Sequence, residues 1–176
     1  RLLGLRKIMA EHTYADRLSY ICNKIFEYNK TDTKNKVIIL GIADSYDEFE
    51  YIYQSFYKQS YINKQLCIIT KFNKQVKEDN VQIFKDKNKF IEYLVSLSDK
   101  QNIFIGCMNP QDYYGINYIT DLILSTKYSN ADAFGKGSYY KFESDNIMLQ
   151  NSDIEYKKID ILNCDSSISR LSVFSK

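Results

Sequence analysis

The chain has 176 residues, of which 44% are hydrophobic and 26% are charged, and its net charge is +2. This composition excludes a disordered chain, which would have fewer apolar residues and a larger net charge. The nearly balanced charge gives no support for a nucleic-acid partner or for binding to an anionic membrane. No apolar run reaches the ~18 residues that a membrane span needs, and residues 1–10 lack a signal-peptide pattern, so we expect a cytoplasmic protein.

The first 28 residues have the apolar spacing of helices. Apolar residues recur at helical intervals within 2–9 and again within 14–25. Thr13 lies between the two segments and Asp16 follows three residues later, a capping-box pattern that predicts the start of a second helix. Residues 29–36 are polar and predict a linker. We therefore divide the chain into a helical lead-in at 1–28, a linker at 29–36 and a domain at 37–176.

Strand and helix patterns alternate through the middle of the chain. Short apolar runs typical of buried strands occur at 37–42, 66–70, 81–84 and 103–108. Segments with the helical period follow at 47–59, 87–97 and 118–127. This alternation predicts βαβ units and a mostly parallel sheet with flanking helices.

After residue 130 the pattern changes. Short strand-like pieces separated by polar turns occur at 133–134, 138–142, 147–150, 156–162 and 168–174. They predict an antiparallel C-terminal part added to the parallel sheet. The expected fold class is therefore α/β.

The cysteines and the single histidine limit the metal chemistry that the sequence supports. None of Cys22, Cys67, Cys107 and Cys164 belongs to a CxxC pair, and the last three lie in apolar runs. This pattern is typical of buried free thiols rather than of a disulfide framework or a thiolate metal site. His12 is the only histidine, so a zinc site with histidine ligands is not expected.

Two segments are expected at the edge of the sheet where ligands of open α/β folds bind, beyond the carboxyl ends of the strands. Residues 43–46 follow the first strand and residues 109–115 follow the fourth. No dinucleotide fingerprint, P-loop or nucleophile-elbow motif occurs in the chain. Asp112 is a candidate ligand for a divalent metal on a diphosphate, and the alternative is that it caps the turn or the following helix.

Several stretches resemble family-2 glycosyltransferases of the GT-A type, in particular the branch found in bacterial spore-surface and cell-surface proteins. They are residues 56–69 (FYKQSYINKQLCII), 112–122 (DYYGINYITDL), 131–140 (ADAFGKGSYY) and, more weakly, 161–176. The resemblance covers 37–176 and implies a GT-A-like fold, a nucleotide-sugar donor and Mn²⁺ or Mg²⁺ as cofactor. It implies donor contacts from Asp44, Asn73, Asn109 and Lys136 and metal binding by Asp112.

Residues 11–21 (EHTYADRLSYI) resemble a different domain. They are similar to the last helix of GT-B-type glycosyltransferase domains of the spore-maturation class. The resemblance implies that residues 1–28 end a preceding domain of the same protein, which is then an expected partner. His12 is in that context a packing or capping residue rather than a catalyst.

The chain departs from the GT-A pattern at its donor contacts. Where the family has a run of aspartates after the fourth strand, residues 109–112 are NPQD and keep one acid. Residues 44–47 lack the family's Thr-x-Arg-Pro, only Asn73 remains after the second strand, and the family's acidic base is expected beyond residue 176. Because glycosyl transfer depends on neutralising a departing diphosphate, these losses favour a degenerate site.

Three functions therefore remain open from the sequence. The first is a degenerate GT-A module, structural or binding, within a larger glycosyltransferase-type protein. The second is an active nucleotide-sugar-dependent glycosyltransferase, for which the sequence assigns no catalytic residue. The third is a tyrosine-rich module that binds a protein or a carbohydrate. Core packing explains most of the tyrosines more simply, but Tyr113, Tyr114, Tyr139 and Tyr140 could stack on sugar rings.

Overall fold

The computed structural model describes residues 2–26, 35–143, 145–154 and 157–175. The helices are α1 (Leu2–Glu11), α2 (Tyr14–Phe26), α3 (Tyr46–Tyr57), α4 (Lys87–Ser96) and α5 (Tyr118–Ser125). The strands are β1 (Lys36–Ile42), β2 (Lys64–Ile69), β3 (Val81–Phe84), β4 (Ile103–Met108), β5 (Ala133–Gly135), β6 (Tyr139–Glu143), β7 (Asn146–Gln150) and β8 (Ser167–Arg170). Two 3₁₀ turns, Cys164–Ser166 and Leu171–Ser175, flank β8.

A six-stranded sheet with the order β3-β2-β1-β4-β8-β5 forms the centre of the described structure. The first four strands are parallel, β8 is antiparallel to β4, and β5 is antiparallel to β8. Strands β6 and β7 form a separate hairpin. The predicted α/β fold, with a mostly parallel sheet, flanking helices and an antiparallel C-terminal part, is confirmed. So is the predicted pairing of residues 37–42 and 103–108 within one sheet.

Alternate residues of the central strands enter two apolar layers, because successive side chains of a strand point to opposite faces. Val37 and Ile39 of β1 pack with α3 and α5 on one face. Ile38 packs on the other face with Cys67 and with Phe90 of α4. Both faces of β1 are therefore covered, which explains why its sequence is a continuous apolar run.

The C-terminal predictions are partly wrong. Residues 157–162 are irregular and mostly exposed rather than a strand, because they join no neighbouring strand; residue 156 lies outside the described residues. The strand predicted at 168–174 ends at Arg170, where the chain turns so that Leu171 enters the second apolar layer.

The predicted helices and the cap between them are confirmed within residues 2–26, and residues 27–28 lie outside the described part. The Thr13 N–H donates to Asp16 Oδ2 over 2.9 Å, and the Asp16 N–H donates to Thr13 Oγ1 over 3.2 Å. This is the reciprocal pairing of a capping box, with aspartate in the place of glutamate. Both helices lie outside the sheet, as predicted.

Charged contacts attach the lead-in to the domain. The Arg6 guanidinium donates to both carboxylate oxygens of Asp121 on α5, over 2.6 and 3.0 Å. Lys127 donates to the Ala10 carbonyl over 2.8 Å and lies 3.2 Å from a carboxylate oxygen of Asp16. No residue of α1 or α2 is buried, so their apolar side chains remain accessible. No helix in the described part of the chain is long and apolar enough to cross a membrane.

Candidate functional site

The crevice beyond the carboxyl ends of β1 and β4 is the topological switch point of the sheet. The chain runs from β1 to β2 and β3 on one side and then returns to β4 on the other side of β1. Such a reversal leaves an open crevice between the two loops that follow the strands, where ligands of this fold class bind. Residues 43–46 and 109–115 follow β1 and β4, so both segments lie at the predicted edge.

The loop after β1 leads directly into a helix whose N-terminus is capped by its own side chains. Ser45 Oγ accepts from the Glu48 N–H over 3.2 Å, and Glu48 Oε2 accepts from the Asp44 N–H over 2.8 Å. Asp47 adds another carboxylate in the first turn of α3. The N-terminus of a helix attracts anions, but here the protein's own carboxylates already supply the negative charge. This end of α3 therefore opposes the binding of a diphosphate.

The predicted base contact, Asn73, lies beside the loop after β1. The Tyr46 ring stacks on Phe72 with 4.3 Å between centroids, and the Tyr46 hydroxyl donates to the Asn73 carbonyl over 3.4 Å. The structure thus brings the loops that carry Asp44 and Asn73 together. However, the Lys85 ammonium donates to the Asn73 side-chain oxygen, so that oxygen is already engaged within the protein.

Asn109 organises the turn after β4. Its side-chain oxygen accepts from the Gln111 N–H over 3.0 Å, and its carbonyl accepts from the Asp112 N–H over 3.2 Å. Its own N–H donates to the Tyr114 hydroxyl over 2.9 Å. The side chain of Asn109 therefore stabilises the turn instead of facing a ligand as a free group.

The charge of a second carboxylate, that of Asp165, reaches Asp112. Partial burial raises the pKa of Asp112, the negative charge of Asp165 raises it further, and an interaction with the Tyr114 hydroxyl opposes the rise. Asp165 belongs to the 3₁₀ turn before β8, and its carbonyl accepts from the Tyr118 hydroxyl over 3.2 Å. The turn thus brings a second acid to the end of β4.

Two tyrosines interact with these acidic residues: Tyr114 with the Asp112 side chain and Tyr118 with the Asp165 carbonyl. The rings of Tyr114 and Tyr118 meet edge to face with centroids 5.0 Å apart. Burial raises the pKa of both hydroxyls. Tyr114 is only 7% exposed, so it cannot stack on a sugar ring as the sequence suggested. Tyr113, Tyr139 and Tyr140 are exposed and remain candidates for such contacts.

Lys136 follows β5, and its ammonium lies 3.4 Å from Asp121 Oδ2. Arg6 pairs with the same carboxylate. Burial favours a raised pKa at Asp121, but the hydrogen bond from Arg6 and the charge of Lys136 outweigh it and hold the pKa below its ordinary value. A cleft of about 290 Å³ lies here, lined by Arg6, Gly115, Ile116, Asn117, Tyr118, Asp121 and Lys136. The Lys136 side chain is thus committed to Asp121 rather than to the carboxylate pair.

The residues present do not fit a dedicated divalent-metal centre. Within the described ranges, no group of three or more histidine, cysteine, aspartate or glutamate side chains could hold a metal ion. Mg²⁺ and Mn²⁺ prefer several oxygen ligands, and this edge offers the carboxylates of Asp112 and Asp165.

Asp165 is the site residue that the sequence did not identify. It lies between the strand-like pieces predicted at 156–162 and 168–174. Asp165 is brought towards Asp112 by the antiparallel pairing of β4 with β8. No local sequence motif predicts that pairing. The weak signal that was present is an acid placed just before a strand-like run.

No protein-family model matches the chain, and no curated protein matches it.

Proposed function

We propose that this chain is a glycosyltransferase-like domain with a degenerate nucleotide-sugar site, and that it acts as a structural or binding module of a larger glycosyltransferase-type protein. The motifs at 112–122 and 131–140, together with the α/β fold, support the family assignment. The observation that supports a degenerate site is that the side chains expected to bind the donor already have partners within the protein. Asn73 accepts from Lys85, Lys136 donates to Asp121, and Asn109 accepts from the Gln111 N–H of its own turn.

The charge at the switch point supports the same proposal. Asp44, Asp47 and Glu48 surround the start of α3, and Asp112, in the turn after β4, carries a pKa raised by burial and by the negative charge of Asp165. A nucleotide diphosphate that approaches this edge meets carboxylates. Lys136 is the cationic side chain among the expected donor contacts, and it is already paired with Asp121. Two carboxylates bind a divalent cation weakly, because the cation favours several oxygen ligands. We therefore expect millimolar or weaker nucleotide binding.

The lead-in helices support the role as a module. Their apolar side chains are exposed, including Leu3 at 78%, Leu18 at 62% and Phe26 at 72%. Many exposed apolar side chains on two short helices are typical of a contact with another protein surface. In this proposal the preceding domain implied by residues 11–21 packs on α1 and α2, while ion pairs connect these helices to α5.

An active nucleotide-sugar-dependent glycosyltransferase is the second candidate. The observation that favours it is the proximity of Asp112 and Asp165 at the switch point, where this fold class binds ligands. Asp165 would then supply a carboxylate in place of one of the lost aspartates. Both acids would bind a divalent cation together with the donor diphosphate, whose charge completes the ligand set.

Isothermal titration calorimetry with UDP, with and without MnCl₂, separates the two candidates. The degenerate site predicts no saturable binding below millimolar UDP for the wild type and the same result for Asp112→Ala and Asp165→Ala. Asp79→Ala is the matched control, since Asp79 is an exposed acid that precedes β3 and therefore lies at the opposite edge of the sheet. A micromolar dissociation constant that requires Mn²⁺ and is lost in Asp112→Ala, but not in Asp79→Ala, would overturn the degenerate site.

Restoring the missing acids provides a converse test. In the double variant Asn109→Asp with Gln111→Asp, two carboxylates return to the turn that carries Asp112. The proposal predicts Mn²⁺-dependent UDP binding in this variant and none in the wild type. An unchanged fold, checked by circular dichroism, together with continued absence of binding would contradict the idea that lost acids are what disabled the site.

A further inference from the structure

Cys107 and Cys164 come together where the end of β4 meets the 3₁₀ turn before β8. Gly106 pairs with Ile168 in the antiparallel ladder, so the next position places Cys107 opposite Ser167. The Ser167 N–H in turn donates to the Cys164 carbonyl, one 3₁₀ turn earlier. The 3₁₀ turn that carries Cys164 therefore packs against the end of β4 that carries Cys107.

The two thiols lie near enough to affect each other. Burial and the nearby Cys164 and Asp165 raise the pKa of the Cys107 thiol, and the Cys164 thiol donates to a carboxylate oxygen of Asp165 over 3.6 Å. Cys107 is half-buried and Cys164 is exposed. The remaining cysteines are placed differently, because Cys67 is fully buried in the second apolar layer and Cys22 lies on α2 outside the sheet.

We propose that Cys107 and Cys164 form a reversible disulfide bond that ties the 3₁₀ turn to the end of β4. The oxidant is a low-molecular-weight disulfide. The thiolate of the exposed Cys164 attacks one sulfur of the oxidant, which forms a mixed disulfide and releases one small thiolate. The Cys107 thiolate then attacks the Cys164 sulfur, which forms the protein disulfide and releases the second small thiolate. The protein loses two electrons and two protons, and the oxidant is reduced to two thiols.

The bond would act on the carboxylate pair. The 3₁₀ turn that carries Cys164 also carries Asp165, so the cross-link fixes the second acid next to Asp112. This inference goes beyond nucleotide-sugar binding, because the bond forms in the chain alone and does not depend on which candidate function is correct.

The test is oxidation of the folded chain with glutathione disulfide, followed by alkylation of the remaining thiols, proteolysis and mass spectrometry. We expect a linked peptide pair containing Cys107 and Cys164, with the loss of two hydrogen atoms, and its disappearance after treatment with dithiothreitol. Cys22→Ser is the matched control and should give the same linked pair. Cys107→Ser should stop at a glutathione adduct on Cys164.

The wild-type chain decides the outcome even where a variant fails to fold. A persistent glutathione adduct on Cys164 of the wild type, with Cys107 still open to alkylation after denaturation, overturns the proposal. A linked pair that joins Cys164 to Cys22, or to a second copy of the chain, also overturns it. The oxidised wild type should in addition unfold at a higher temperature than the reduced protein, because the cross-link restricts the unfolded chain.

Discussion

Gly106 determines how closely β8 approaches β4, and a single added methyl group tests this packing. A Cβ atom at residue 106 would lie 2.8 Å from the Ser167 carbonyl oxygen and 2.9 Å from Ile168 Cγ2. The side chain of Ile168 can adopt another rotamer, but the carbonyl oxygen belongs to the backbone of the neighbouring strand. In Gly106→Ala, β8 and the 3₁₀ turn before it must therefore shift away from β4.

The size of the effect follows from the cost of overpacking. Inserting a methyl group into a packed interior costs about 1–3 kcal/mol. For a chain of this length, each kcal/mol lowers the midpoint of thermal unfolding by roughly 2–4 °C. The variant should therefore unfold about 2–12 °C below the wild type.

Gly115→Ala is the matched control, because nothing lies within 4 Å of a Cβ atom built there. No glycine in the described part of the chain has a positive φ, so alanine fits the backbone at 115 without strain. The same chemical change should therefore leave the stability unchanged or raise it by up to about 1 kcal/mol, through the lower entropy of the unfolded chain.

Thermal and urea denaturation, both followed by circular dichroism, measure the two variants against the wild type. The expected order of unfolding midpoints is Gly106→Ala below wild type, with Gly115→Ala at or above it. If Gly106→Ala unfolds at the wild-type midpoint with an unchanged urea dependence, the close contact between β4 and β8 is refuted. The placement of Asp165 and Cys164 beside β4 would then lose its support.

Two further variants test charged contacts. Asp112→Asn should raise the unfolding midpoint slightly at neutral pH, because the raised pKa of Asp112 means that folding disfavours its ionised form. The gain should disappear below the pH at which an ordinary aspartate titrates. Asp79→Asn is the control and should show no gain. Arg6→Ala should expose α1 and α2 to faster trypsin cleavage, because the bidentate contact with Asp121 holds α1, while global stability changes by less than about 1 kcal/mol. Lys7→Ala is its exposed control, and equal cleavage of the two variants would show that this contact does not hold the helix.

The sequence predicted the centre of the fold well because its strands are buried on both faces. The bounds of β3 and β4 agree with the predicted 81–84 and 103–108, since a continuous apolar run is itself the signal for such strands. The start of β2 was set two residues too late, because Lys64 and Gln65 are polar. Lys64 is nevertheless partly buried and Gln65 is buried, and both side chains have partners within the protein: the Lys64 ammonium donates to the Gln59 carbonyl, and Gln65 accepts from the Tyr93 hydroxyl.

The C-terminal part was harder to predict because its strands differ in what covers them. Strands β6 and β7 mix apolar and polar residues and bury none of them, whereas residues 157–162 have a similar composition and form no strand. Pairing with a neighbour, rather than local sequence, decides between these outcomes. Residues 167–170 become a strand because β4 and β5 lie on either side of them.

For the candidate site, the sequence identified which side chains lie at the edge of the sheet, but not which of them remain free to bind a ligand. That freedom is decided by partners elsewhere in the chain: Lys85 for Asn73, and Asp121 for Lys136. Asp112 is the opposite case, since burial and the charge of Asp165 raise its pKa despite an interaction with the Tyr114 hydroxyl. Its ionised form therefore opposes folding at neutral pH, and a bound cation would relieve that effect. The contact between β4 and β8 therefore places Asp112 and Asp165 at one edge of the sheet. This is the part of the edge where a bound ligand or a cross-link would change the chemistry most.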